Sequence, residues 1–206
     1  MISDQAIAEN IQRLISNRDS ENDSYISLSS DIIEGVRYIT FTAMDNAKFK
    51  ESYTWATFMS DLLGLDDRKE TWGNPHFAMD FEAIKPFMMD HIAKHEGLPI
   101  ILSGHGVAGS IAVMAGYYLI MMGDNLHRVV TFGAPRALNY NKKNDYFFEA
   151  MQEITTQFVL KNDPLPKMFR LTKYCSVNRT ALYMLGEDCG IADYIGAMGI
   201  GDGGLL

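Results

Sequence analysis

Apolar residues recur at helical spacing near the start of the chain. Ile7, Ile11, Leu14 and Ile15 follow Ser3 and Asp4, either of which can cap a helix over residues 3 to 16. A polar stretch from Asn17 to Ser24 ends that pattern. Two β-branched and aromatic runs come next, Tyr25 to Ile33 and Val36 to Ala43, separated only by Glu34-Gly35, and they predict an antiparallel hairpin. Tyr53 to Leu63 and Phe77 to Lys94 return to helical periodicity, with Pro86 expected to kink or split the second.

The clearest unit begins near residue 98. Leu98 to Ser103 is a short apolar strand, Ser103 to Gly109 a turn of small residues, and Val107 to Met122 a long apolar helix closed by Gly123. His127 to Phe132 reads as a second buried strand and Ile154 to Leu160 as a third, broken by Asp163-Pro164, with Thr180 to Leu185 as the last. Strands alternating with helices imply an α/β fold, a mostly parallel sheet flanked by helices and preceded by an N-terminal helix and hairpin. No internal repeat or linker divides the chain, so one domain is expected over residues 1–206. It would comprise an N-terminal helix and polar connection (1–24), an α/β core (25–198) and a mobile tail (199–206).

Composition narrows the functional classes. The chain has 206 residues, 47% hydrophobic and 21% charged, as expected of a globular protein and too apolar for a disordered one. With 18 basic and 26 acidic residues the formal net charge is −8, and the basic residues form no cluster longer than Lys142-Lys143. Nucleic acid and anionic membrane surfaces would be repelled on average. Cys175 and Cys189 are too few for a disulfide framework, and they lack the partners of a metal cluster. The start is acidic and amphipathic rather than signal-like, and the longest apolar run, Ile111 to Met122, is too short to span a bilayer. These features predict a cytoplasmic location, in the host cytoplasm for a viral source, with no cofactor and no metal.

The glycine-rich turn has two readings. Gly104-His105-Gly106-Val107-Ala108-Gly109 matches G-x-G-x-x-G between a strand and a helix, and Asp124 lies about 20 residues on, as in a dinucleotide site. A ribose-binding acid belongs at the end of the second strand, however, and Asp124 precedes that strand. The other reading is a nucleophile elbow, the sharp G-x-S-x-G turn above an α/β-hydrolase sheet.

Several segments support the second reading together. ILSGHGVAGSIAVMAG resembles the class 3 lipase segment in which G-H-S-L-G-G follows a strand, VVTFGAPRALN resembles that family's T-F-G-x-P-R-x-G-N, and NDPLPKMF resembles its D-P-V-P-R-L-P. Upstream, ITFTAMD stands where the family has a strand ending in F-R-G-T. Trp55 and Asp61 are similar in place to its W-x-x-D helix, and His76 to its H-x-G-F. The resemblance runs in order over roughly residues 36 to 198 and implies an α/β-hydrolase fold.

It also implies a triad of serine, aspartate and histidine, in that chain order. The serine position is Gly106, which carries no hydroxyl; Ser103 and Ser110 are close in sequence but not at the apex. Asp163 matches the aspartate. The histidine segment resembles Asp193-Tyr194-Ile195-Gly196-Ala197, placing Tyr194 at the histidine position, and none of the five histidines (His76, His91, His95, His105, His127) follows Asp163. Of the two oxyanion positions, Val107 keeps its backbone N–H whereas Met44 lacks the side-chain hydroxyl. The expectation is a pseudoenzyme acting as a protein-binding or regulatory module. Two alternatives are a pocket that holds an acyl or other apolar ligand, and a hydrolase with a non-standard catalytic group such as Asp163. A filled cleft would favour a protein partner, and an open apolar one a small ligand.

Overall fold

The computed structural model describes residues 2–16, 26–43, 73–139, 146–167, 174–177, 181–184 and 190–199. The expected helix over Tyr53 to Leu63, together with Trp55, Asp61 and Met44, lies outside them, and of His76 only the backbone is described.

Helix α1 spans Asp4–Ser16. The Ser3 hydroxyl accepts the Ala6 N–H at 3.2 Å, the side-chain cap that the sequence offered. Strands β1 (Ile26–Ile33) and β2 (Val36–Ala43) form the antiparallel hairpin. Its turn residues Glu34 and Gly35 both have positive φ, 52° and 75°, as a tight hairpin requires. Helix α2 runs unbroken from Pro75 to Ala93. The expected split at Pro86 does not occur: the helix continues through it, with Pro86 on the exposed side, where water can meet the carbonyl it leaves unpaired.

Strand β3 (Ile100–His105), helix α3 (Val107–Met122) and strand β4 (Leu126–Phe132) follow the sequence reading closely. Gly123 ends α3 in the left-handed conformation, and the Gly123 and Asp124 N–H groups return to the Ile120 and Leu119 carbonyls. After a two-residue strand β5 (Leu138–Asn139) comes helix α4 (Tyr146–Ile154), which leads without a break into β6 (Thr155–Leu160). A 3₁₀ turn at Leu165–Lys167, β7 (Tyr174–Cys175), β8 (Ala181–Met184) and helix α5 (Ile191–Gly199) complete the order.

The main sheet has six strands in the order β1-β2-β3-β4-β6-β8, parallel except for the β1–β2 pair; β5 and β7 make a separate antiparallel pair. The crossover helices α2, α3 and α4 cover one face, burying Phe77, Phe81, Met88, Phe148 and Met151 against Ile39, Phe41 and Val129. Helices α1 and α5 cover the other, with Ile7, Ile11 and Tyr194 over Ile101, Val130 and Phe132. Along β2 the side chains alternate between the two cores, Tyr38 to one and Ile39 to the other. Helix α3 is apolar all round because it is buried nearly all round. No helix among the described residues is long and apolar enough to cross a membrane.

Two cations pin this arrangement. Arg37, only 1% exposed, donates from Nη2 to the His95 carbonyl at 2.8 Å, just past the end of α2, where its charge meets the negative end of the helix. Arg128 on β4 grips Asp4 with two bonds of 2.7 and 2.9 Å and also reaches Thr156, so the start of α1 is held to the sheet.

Two glycine substitutions should act in opposite directions. A Cβ on Gly104 would stand 2.6 Å from the Ala108 backbone, which cannot withdraw, so Gly104→Ala should cost about 1–3 kcal/mol in urea unfolding. Gly196, exposed on α5 with nothing near its Cβ position, should gain about 0.5–1 kcal/mol as alanine.

Candidate functional site

The site is built where β3, β4 and β6 end. Strand β3 delivers His105, and the chain then turns at Gly106, with φ 57° and ψ −128°, into α3. Side-chain-bearing residues rarely hold such angles. The Gly106 N–H donates to the Phe132 carbonyl at 2.8 Å, and the Gly106 carbonyl accepts from Gly109 and Ser110. Gly104 and Gly109 allow the close approach of strand and helix, since a Cβ on Gly109 would come within 2.9 Å of the Ala134 Cβ. Val107 opens the helix directly after the apex and is buried.

Neither neighbouring serine reaches the apex. The Ser103 hydroxyl is buried and bonded to that of Thr40 at 3.0 Å, and the Ser110 hydroxyl donates to the Pro135 carbonyl at 2.8 Å. Asp124 stands at the start of β4, joined to the end of α3, so it is at the opposite end of the strand from the turn.

The structure brings Asp163 and Tyr194 together. The Tyr194 hydroxyl donates to Asp163 Oδ2 at 2.6 Å and accepts the Leu160 N–H at 3.2 Å, while Asp163 Oδ1 accepts the Leu165 N–H at 2.9 Å. Both residues are 0% exposed. Burial raises the Asp163 carboxyl above the usual carboxylate range. The Tyr194 phenol opposes that shift, as do the Leu165 N–H and, at longer range, His105 and Lys167. Tyr194 is carried on α5, whose start is fixed by the Gly190 N–H donating to Asp193 Oδ2 at 2.9 Å. Its ring meets Phe132 and His105 edge-on, with centroids 5.8 Å away in each case.

One participant is invisible to residue-by-residue reading. Gly133, at the end of β4 with φ 61°, leaves the space that the pair occupies: a Cβ there would collide with Asp163 Oδ2 and lie 2.7 Å from the Tyr194 hydroxyl. The one available signal was a glycine directly after a buried strand in TFGAPR. Among the described residues no three His, Cys, Asp or Glu side chains are grouped to hold a metal ion.

Tyr194→Phe removes one donor from a buried carboxylate and one acceptor from the Leu160 N–H, and should cost about 1–3 kcal/mol. Because the Asp163 value is raised, the contribution of this group to stability is fullest at low pH and is lost as pH rises through that value. Loss of the phenol raises it further. Thermal unfolding should therefore show a larger deficit for Tyr194→Phe at pH 8 than at pH 4. Gly106→Ser should lower the melting temperature modestly, by the equivalent of about 1–3 kcal/mol, for the strain at a positive φ; a clear rise would count against the strained turn.

Comparison with known proteins agrees with this geometry. No curated protein sequence matches the chain. A fungal lipase structure superposes with a TM-score of 0.60 at 12% identity, covering 85% of this chain and 66% of its own. Lip2 lipase from Yarrowia lipolytica gives 0.55 at 14% identity, covering 81% and 63%, and lipase II from Rhizopus niveus gives 0.56 at 16%, covering 92% and 79%. The chain thus spans slightly under two thirds of the first two lipases. At these identities the superpositions establish the α/β-hydrolase-like fold. The family model for class 3 lipases matches residues 41–173, from the end of β2 to the threshold of β7, and by that match the chain belongs to the class 3 lipase family.

Proposed function

We propose that this chain is a non-catalytic member of its family, a protein-binding or regulatory module that keeps the hydrolase scaffold without turnover. The bond from Tyr194 to Asp163 carries the reading. A triad needs an imidazole at the aspartate, able to take a proton near neutral pH. A phenol, with an ordinary pKa of about 10, does not take up a proton there, and this one already donates to Asp163 and accepts from Leu160. On this reading Gly106, Asp163 and Tyr194 are vestigial triad positions, and Val107 is the remnant of an oxyanion hole whose second position is Met44.

The same geometry speaks against Asp163 as a catalytic base of another kind. The residue is fully buried, and both of its oxygens are engaged. His105 has its ring against Tyr194 on the α1 side of the sheet, which suits a remnant of G-H-S. For a protein partner, α2 offers an apolar surface: Met79 and Phe87, two turns apart, are 66% and 67% exposed. The second reading, a small apolar ligand, is favoured by an open crevice at the ends of β2 and β3.

Purified protein should give no hydrolysis of p-nitrophenyl esters from acetyl to decanoyl and no labelling by a serine-directed fluorophosphonate. Gly106→Ser alone should stay inactive, because Tyr194 still occupies Asp163. Ester turnover in the parent chain that is lost in Asp163→Ala would overturn the non-catalytic reading. Affinity capture from the native source should yield a stoichiometric partner protein if the module works by protein binding.

A further inference from the structure

Helix α2 turns an apolar ridge away from the sheet. Its buried residues, Phe77, Phe81, Ile84, Met88 and Ile92, form one stripe toward the core, whereas Met79, Ala83 and Phe87 succeed one another at i, i+4 and i+8 on the exposed side. The middle residue is small, and a large apolar side chain, about two-thirds exposed, stands one turn to either side of it. At the sheet edge beside α2, Ile32 shares the face of β1 that Ile26 and Leu28 turn to the α2 core, and it is 44% exposed. The exposed acids of the helix are paired, Glu82 with Lys85 and Asp90 with Lys94, and Asp80 is half-buried.

The ridge is complementary to itself. When a second copy is related to the first by a two-fold axis that crosses α2 at Ala83, the two helices run antiparallel, Ala83 faces Ala83, and Met79 of each copy faces Phe87 of the other. A small residue at the crossing lets the helices approach, and ridges of this spacing interlock in the commonest packing class of globular helices. Charge favours the same occupant. Each chain carries a net charge of −8 and would repel its copy on average, but on this face the exposed acids are already neutralised within the helix. We propose that α2 joins two copies of this chain antiparallel across Met79, Ala83 and Phe87, with Ile32 at the rim. The proposal rests on the protein-binding reading and names the partner. A contact built on one helix belongs to the small class of interfaces, below about 1,200 Å² in total, so the dimer is reversible.

The test is sedimentation equilibrium of the full chain over a concentration series, where the mass should rise from 23.1 kDa toward twice that value. Ala83→Glu and Ala83→Lys place good helix formers at an exposed position, and each sets like charges face to face across the axis. Each alone should weaken association at least about tenfold, equivalent to about 1.4 kcal/mol. An equimolar mixture of the two sets Glu against Lys and should associate at least about fivefold more tightly than either variant alone. Phe87→Ser removes an anchor, should weaken association to a similar degree, and serves if an Ala83 variant does not fold. A parent chain that is monomeric at every concentration, a dimer unmoved by the folded variants, or no gain in the mixture would overturn the proposal. A monomeric chain that still captures a stoichiometric protein from its source would overturn the second copy as occupant and leave the protein-binding reading standing.

Discussion

A carboxylate withdrawn from water must be given donors, and the upper end of this fold is arranged around that need at Asp163. Burial works against its charged form. The Leu165 N–H and the Tyr194 hydroxyl offset that cost, the first from the turn after β6 and the second from α5. Tyr194 can reach only because Gly133 has no side chain, and Leu160 holds the phenol from its other side. The turn after β6 and helix α5 are thereby fixed to one oxygen pair. The seat of α5 on the sheet follows from it.

The elbow at Gly106 obeys a different constraint. Its shape depends on Gly104 and Gly109, whose missing side chains let β3 and α3 approach, and on the backbone bond from Gly106 to Phe132. None of these requires a hydroxyl at the apex. The turn can persist for packing reasons alone, and glycine holds its angles with less strain than serine would. A family member can therefore keep the elbow as architecture after the chemistry it once positioned has gone, which is how the proposed loss of catalysis fits with a retained fold.

Much of the fold was legible because its signals are local. Glu34-Gly35 announced the hairpin, Gly123 ended α3, and the run from Ile100 to Phe132 carried its own punctuation. Two helices were missed for physical reasons. Helix α4 passes directly into β6 at Ile154-Thr155, with no glycine or proline to mark the change. Helix α5 contains Gly196 and Gly199 and has weak intrinsic propensity, so its helicity depends on the Asp193 cap and on packing against α1. At the site, motif order pointed to Gly106, Asp163 and Tyr194, and the structure brings the last two within hydrogen-bond distance. The role of Gly133 could not, because it depends on a distance between residues some thirty and sixty positions apart.

The clamp between Arg128 and Asp4 joins residues separated by 124 positions. Contacts so distant in sequence carry a high loop-closure cost and form after the local units they connect. Arg128 and α5 both follow α1 by more than a hundred residues, so these two of its contacts are made across long loops. Ile7 and Ile11 share their core with Tyr38, Ile101 and Tyr194, so that core draws on both early and late parts of the chain. Helices α1 and α5 therefore share one apolar face of the sheet, and loosening either uncovers part of the same core.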